Sequence, residues 1–194
     1  MNEPGDKSNG YDALADRYWS DEGPVVGRDV ILRWSESLPA GAAVLELGCG
    51  PGGRVSQPLS ERGFQMFGVD ASPRMVSMYR EHVPGAKVEC ADVMESDFFG
   101  RTFDAAVAWG LLFLMREDEQ ARLLQKVGAA LGTGGRFLVT APWQTGRWND
   151  AMTGRESISL GRETYLRLLW ESGFELESEA SDEGENHYYL TRKV

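Results

Sequence analysis

Cysteine and long apolar runs are both scarce in this chain. The two cysteines, Cys49 and Cys90, belong to no Cys-x-x-Cys pair or Cys/His cluster. The sequence therefore predicts neither a disulfide framework nor a structural zinc site. No uninterrupted apolar stretch approaches the roughly 18 residues of a membrane span. The opening MNEPGDKSNG is polar and lacks the apolar segment of a secretion signal. A soluble, reducing, cytoplasmic setting is the expectation. Positive charge is also short: 20 Lys and Arg against 30 Asp and Glu give a net charge of −10. Phosphate backbones and anionic membranes are bound by clustered Lys and Arg, so neither nucleic acid nor membrane is an expected partner. The acidity is local. From Glu171 to His187 there are seven acids and no Lys or Arg, and the other 23 acids and 20 bases leave only −3. Glu175, Glu177 and Glu179 alternate along one face of a predicted strand, a pattern that guards a sheet edge. The alternative is that this acidity rims a pocket for a cationic substrate.

What is present suffices for a single domain spanning 1–194. At 194 residues and 42% hydrophobic, the chain can fill one core. Residues 1–10 read as a flexible tail. Tyr11, Leu14, Ala15 and Tyr18 form one helical stripe. Gly23-Pro24 breaks the chain, and a second helix is predicted over 24–37, with Val26, Val30, Trp34 and Leu38 on one side. Residues 11–38 thus form an N-terminal helical cover. Short apolar runs at 43–48, 64–70, 86–92, 103–109 and 136–142 read as strands, with helices predicted over 53–62, 73–83, 116–131 and 161–172. Ser72-Pro73 is a hydroxyl cap followed by a first-turn proline. The stretch 142–160 reads as irregular and, being long, as a candidate substrate loop. Residues 174–180 and 187–194 alternate with period two around a turn. The expected fold is α/β, a three-layer α-β-α sandwich. Its seven-stranded, mostly parallel sheet ends in a C-terminal antiparallel hairpin.

In such sheets ligands bind beyond the carboxyl ends of the strands. Those ends carry Glu46 to Gly53, then Asp70, then Asp92-Val93, then Trp109-Gly110. The glycines let backbone groups approach a ligand. Asp70, 22 residues beyond Gly48, can accept from both hydroxyls of a ribose. Asp92 and the Val93 N–H can read an adenine edge, with Met75 as an apolar wall. Gly48, Gly50 and Gly53 also match the dinucleotide-binding spacing, which leaves an NAD(P)-binding oxidoreductase open as an alternative.

VLELGCGPGG at 44–53, GVDAS at 68–72, CADV at 90–93, FDAAVAWGLLFLM at 103–115 and GGRFLVTAP at 134–142, in that order, resemble the class I S-adenosylmethionine (SAM)-dependent methyltransferases. YDALADRYW at 11–19 and the terminal hairpin are similar to that family too. The resemblance implies that Glu46 orients the loop and the amino-acid moiety of SAM. It places Gly48, Cys49, Gly50 and Gly52 along the methionine and ribose. It puts Asp70 on the ribose, Ala71 and Met75 beside the adenine, Asp92 and Val93 on its edge, and the Trp109 backbone at the ammonium. Tyr11 and Tyr18 fall in a helix that covers the cofactor. The implied reaction is in-line methyl transfer to a small-molecule acceptor, with S-adenosylhomocysteine as product. It requires no metal, and the sequence has no metal-ligand cluster. A non-catalytic SAM-binding regulatory protein is the other alternative.

Trp109, Trp143 and Trp148 are candidate substrate contacts, since an aromatic face can grip a flat acceptor or sit by the sulfonium. His187, at the start of the last strand, and Tyr11 are the candidate catalytic groups.

Overall fold

A computed structural model describes residues 6–20 and 26–194. The expected tail at 1–5 and the Gly23-Pro24 break lie outside the described residues. Residues 6–10 form a turn rather than a free tail. Asp6 accepts the N–H of Ser8 and of Gly10, and its carboxylate also pairs with Arg155 at 2.7 Å.

Five strands alternate with helices as the apolar runs predict. They are β1 (Ala43–Leu47), β2 (Gln65–Asp70), β3 (Lys87–Cys90), β4 (Phe103–Ala108) and β5 (Leu131–Thr140), all mutually parallel where they pair. Later in the chain come β6 (Thr145–Asn149), β7 (Glu156–Leu160), β8 (Phe174–Ser181) and β9 (His187–Lys193). The seven-stranded sheet runs β3-β2-β1-β4-β5-β9-β8, with β9 antiparallel to both neighbours. The connection reverses direction between β1 and β4, which creates the crevice where such folds bind ligands.

Helices cover both faces, so the central strands are apolar on both sides. On one face Leu45, Phe67, Ala106, Phe137 and Val139 pack with Leu123, Leu124 and Val127 of α5 (Glu117–Ala130) and with Leu168 and Leu169 of α6 (Arg162–Glu171). On the other, Val44, Met66, Ala105, Val107 and Leu138 meet α2 (Arg28–Ser35) through Val30, Ile31 and Trp34, and α3 (Ser56–Glu61) through Leu59. Alternate residues of each strand serve alternate layers, which is the period-two rule of a strand. Helix α4 (Pro73–His82) starts as its sequence dictates: the Ser72 hydroxyl accepts the Met75 N–H at 3.0 Å and Pro73 takes the first turn.

Four local expectations are corrected. The stripe from Tyr11 to Tyr18 splits into a 3-10 turn (Asp12–Leu14) and α1 (Ala15–Ser20). Helix α2 begins only at Arg28, because Gly27 turns left-handed (φ 80°) against the Tyr188 hydroxyl. The stretch 142–160 is not irregular: β6 and β7 pair as an antiparallel hairpin. Asp150 closes its turn by accepting the N–H of Met152 and Thr153, and Arg147 ties it to Glu117 and Glu156. Finally, the three glutamates of β8 do not share a face. A bulge between Leu176 and Ser178 shifts the register, so Glu175 lies opposite Arg192 while Glu179 lies opposite Tyr189. Glu175 and Glu177 reach Arg192 and Arg136, whereas Glu179 reaches Arg162 and His187. No helix of the described residues is long and apolar enough to cross a membrane.

A cavity over the ends of the parallel strands

The chain leaves β1 at Gly48 and Gly50, both left-handed (φ 65° and 51°). Glycine is needed there: a Cβ on Gly48 would sit 3.1 Å from Leu111 and enter the space the loop leaves open. The loop is tied to the neighbouring strand. The Gly48 and Cys49 N–H groups both donate to the Val69 carbonyl, and the Gly50 N–H donates to Asp70 Oδ2 at 2.8 Å. Asp70 Oδ1 accepts the Ser72 N–H, also at 2.8 Å. Burial drives the Asp70 pKa up, the Ser72 and Gly50 N–H groups hold part of that rise back, and Asp12 adds to it. Two backbone donors leave acceptor positions free on a carboxylate that offers about four.

Those positions face a cavity of about 450 Å³. Gly48, Gly50, Asp70, Ala71, Met75, Asp92, Val93 and Trp109 line it together with Tyr11 and Tyr18. Thus four separate strand ends and the N-terminal segment converge on one space. Asp92 Oδ1 accepts the Met94 N–H and Oδ2 accepts Lys7 Nζ, each at 2.9 Å. Burial works to raise the Asp92 pKa, but the Met94 N–H and the Lys7 ammonium outweigh it and hold the carboxyl below the ordinary aspartate value. One acid is thus poised high and the other low. An apolar half of the cavity is built by Leu111, Phe113, Leu114 and Met115.

The donor set fits an adenosine-type cofactor. A buried carboxylate with unused acceptor capacity ends β2, a second acid with an adjacent backbone N–H ends β3, and Met75 supplies an apolar surface between them. Among the described residues no group of three or more His, Cys, Asp or Glu is placed to hold a metal ion.

Six expected site residues lie off the cavity wall. Glu46 is buried and accepts from the Ser56 hydroxyl, which in turn meets the Tyr79 hydroxyl at 2.6 Å. Its side chain therefore braces the loop from below through α3 and α4. Cys49 packs on Tyr79 and Val83, and burial pushes its thiol pKa up. Gly52 is needed for a different reason than its neighbours: a Cβ there would lie 2.6 Å from Val83 and 2.8 Å from Tyr79. Trp143 is 59% exposed and stacks on His187, whose Nε2 is 2.8 Å from Glu179. Trp148 leans on Phe113, so it backs the wall rather than forming it. Of the candidate catalytic pair only Tyr11 reaches the cavity. Its hydroxyl donates to Asp150 at 3.1 Å, and burial, with Asp150 beside it, holds the phenol neutral.

The structure adds residues that sequence patterns did not single out. Arg54, Phe113 and Asp150 line the cavity. Lys126 of α5 donates to the carbonyls of Val93, Met94 and Ser96 at 2.8, 3.0 and 2.5 Å and lies over the Phe98 ring. It pins the segment after β3 that carries Asp92 and Val93. On an amphipathic helix such a charge is ordinarily solvated; only the folded chain shows three carbonyls meeting it. Lys126→Met should release that segment and lower affinity for S-adenosylhomocysteine by about tenfold, as hydrogen bonds to charged groups are worth roughly 1.5–3 kcal/mol. Calorimetric titration of both proteins reads this directly; equal affinities would show that the segment holds its shape unaided.

Residues 44–135 match the methyltransferase domain family. A 2-methyl-6-phytyl-1,4-hydroquinone methyltransferase of Synechocystis is 28% identical over 154 residues, covering 68% of this chain and 48% of that protein. A ubiquinone biosynthesis O-methyltransferase of Xanthomonas axonopodis pv. citri is 27% identical over 162 residues, covering 77% and 66%. The matched segments thus span less than two thirds of either relative. Among solved structures, a 1,6-didemethyltoxoflavin-N1-methyltransferase of Burkholderia thailandensis, with 1,6-didemethyltoxoflavin and S-adenosylhomocysteine bound, shares the fold. Its TM-score is 0.73 at 20% identity, over 100% of this chain and 93% of that one. Sheet order, strand-end residues and sequence likeness agree: the chain has the fold of the class I SAM-dependent methyltransferases, and its residues 44–135 are similar to their methyltransferase domain.

Proposed function

We propose that this chain transfers the methyl group of SAM to a small-molecule acceptor held in the same cavity. The observation that carries the reading is the buried Asp70 carboxylate, which faces the cavity with acceptor positions unused. When bound, SAM supplies a methyl group already activated on a sulfonium. The protein's task is then alignment and exclusion of water. Asp70 holds the ribose hydroxyls, Asp92 and the Val93 N–H read the adenine edge, Met75 and Ala71 flank it, and the backbone at Gly48, Gly50 and Trp109 receives the amino-acid end. Leu111, Phe113, Leu114 and Met115 wall the acceptor.

The N-terminal segment is the cover. Asp12 accepts from the Ser72 hydroxyl and the Arg74 N–H, Lys7 pairs with Asp92, and Tyr11 donates to Asp150. These contacts reach α4, the end of β3 and the β6–β7 turn, so the segment spans the cavity mouth. The β6–β7 hairpin takes the part expected of a substrate loop at 142–160, through Asp150 and through Trp148 behind Phe113. Tyr11, with its single O–H given to Asp150, presents an accepting oxygen to the cavity and is a positioning group, not a base. The relatives named above, methyltransferases of a phytyl hydroquinone and of a didemethyltoxoflavin, support a small-molecule acceptor. The chain's own acids support no nucleic-acid role.

Incubation with SAM labelled on its methyl group, against a panel of small hydroxylated and amino acceptors, tests the reading. Transfer to at least one acceptor is expected. Tight binding of S-adenosylhomocysteine with no transfer to any acceptor would instead favour a regulatory SAM-binding protein.

A pH dependence follows from Asp70. Its raised pKa means that, on acidification, it takes up its proton before an ordinary aspartate does. The neutral acid is the poorer acceptor for two hydroxyls. Affinity for S-adenosylhomocysteine should therefore be full at neutral pH and fall as the pH drops through that raised value. A titration series from pH 7 to 4 checks this, and Asp70→Asn should abolish that dependence on pH.

A further inference from the structure

The cavity contains a cation that no carboxylate of the described residues neutralises. Arg54 follows the glycine loop and lines the cavity, with its guanidinium 3.8 Å from the centre of the Trp109 ring. Its Nε is buried and has no hydrogen-bond partner, and among the described residues no carboxylate pairs with it. Such a donor is an exception among buried polar groups and costs free energy until an acceptor arrives.

The platform under it is fixed. The Trp109 indole N–H donates to the Tyr188 hydroxyl at 2.7 Å, and that hydroxyl donates to Asp182 at 2.6 Å. Asp182 is itself locked in the β8–β9 turn by the N–H groups of Gly184 and Asn186. The guanidinium is therefore stacked on a ring that cannot rotate away. Trp109 follows β4, while Asp70 and Asp92 mark the ends of β2 and β3 on the other side of β1. The unpaired cation and the two carboxylates thus occupy opposite sides of one cavity. A planar guanidinium with an unused N–H matches the planar oxygens of a carboxylate, which either compound of the methyl-transfer reading can carry.

We propose that Arg54, stacked on Trp109, is the carboxylate-binding group of this cavity. The inference deepens the methyl-transfer reading, under which two compounds can bring the carboxylate: the amino-acid end of the cofactor, or the acceptor. Both present the same chemistry to Arg54.

Arg54→Gln and Arg54→Lys separate the sources. Calorimetry on wild type and variants compares S-adenosylhomocysteine with 5′-methylthioadenosine, which lacks the amino-acid end. A second comparison, by change in tryptophan fluorescence, sets benzoate against benzamide, with and without S-adenosylhomocysteine. If the cofactor supplies the carboxylate, Arg54→Gln weakens S-adenosylhomocysteine tenfold or more and leaves methylthioadenosine unchanged. If the acceptor supplies it, both nucleosides bind as in wild type, and the preference for benzoate over benzamide is lost. Arg54→Lys should fall between, since it keeps charge without the planar fork. The proposal is overturned if Arg54→Gln, folded by circular dichroism, changes neither ratio. Failure of wild type to bind S-adenosylhomocysteine would sink the methyltransferase reading instead. The benzoate comparison on the free protein would then still decide the role of Arg54.

Discussion

Asp70→Ala should reduce affinity for S-adenosylhomocysteine by about 100-fold or more. Two ribose hydroxyls lose a charged acceptor, and each such bond is worth roughly 1.5–3 kcal/mol. The same carboxylate also accepts the N–H groups of Gly50 and Ser72, so its loss loosens the glycine loop and the start of α4 together. Asp70→Asn narrows the two effects. It keeps the size of the side chain and one carbonyl oxygen, so one of the two backbone N–H groups keeps its acceptor while the other faces the amide NH2. The Asn variant should therefore melt between wild type and Asp70→Ala, yet bind weakly because the charge is gone. Isothermal titration with thermal denaturation of all three proteins measures both quantities. An alanine variant that folds and binds S-adenosylhomocysteine as wild type does would show that the ribose lies elsewhere.

Gly52→Ala should be the most damaging change in the glycine loop, and for stability rather than binding. Gly52 is left-handed (φ 85°), and a Cβ would lie 2.6 Å from Val83 Cγ2 and 2.8 Å from the Tyr79 ring. Tyr79 cannot yield. It is fully buried and its hydroxyl is bound to Ser56, which is bound to Glu46. Overpacking costs roughly 1–3 kcal/mol, and left-handed backbone with a side chain adds about 1–2 kcal/mol. A loss of about 2–5 kcal/mol in unfolding free energy is expected from urea titration. Gly50→Ala is the contrast. Its Cβ would meet nothing nearer than Tyr18 at 3.9 Å, so only the backbone term applies to the fold. That variant should lose only the backbone cost of about 1–2 kcal/mol, clearly less than Gly52→Ala, but bind S-adenosylhomocysteine less well. Equal stability of the two variants would refute the separation of packing glycine from cavity glycine.

These contrasts show where the sequence was informative. Strands β1, β2 and β4 are short apolar runs because parallel strands are buried on both faces, and that composition is local. Ser72-Pro73 announces α4 because cap chemistry is also local. Asp70 and Asp92 were legible because each ends such a run. The β6–β7 hairpin was not. Most of β6 is exposed, so it lacks apolar alternation, and what holds it lies outside it: the ladder to β7 and the Phe113 ring beside Trp148. Glu46 stands in the glycine motif, yet its partner Ser56 and the Tyr79 behind it come from two helices. Only the folded chain shows that it braces the loop and does not face the cavity. The β8 bulge hid in a regular Glu-x-Glu-x-Glu pattern, because one unpaired residue reverses every side chain beyond it. Arg54 was invisible among 20 Lys and Arg because what marks it is an Nε with no acceptor among the described residues.

The acidic C-terminal segment also changes meaning. Glu175, Glu177 and Glu179 are spent on Arg136, Arg162, Arg192 and His187, and Asp182 holds Tyr188. The acids that line the cavity come from elsewhere in the chain, among them Asp70, Asp92, Glu119 and Asp150. The segment therefore stitches the last two strands to their neighbours and fixes the Trp109 platform, and it does not form an acidic rim for a cationic substrate.

The central claim is that the cavity at the β1–β4 switch binds SAM through Asp70. Side-by-side calorimetric titration of wild type and Asp70→Asn with S-adenosylhomocysteine and with NAD tests it most directly. The account predicts one-to-one binding of S-adenosylhomocysteine by wild type, a large loss in the variant, and no binding of NAD by either. Tight NAD binding by wild type with no response to S-adenosylhomocysteine would contradict it.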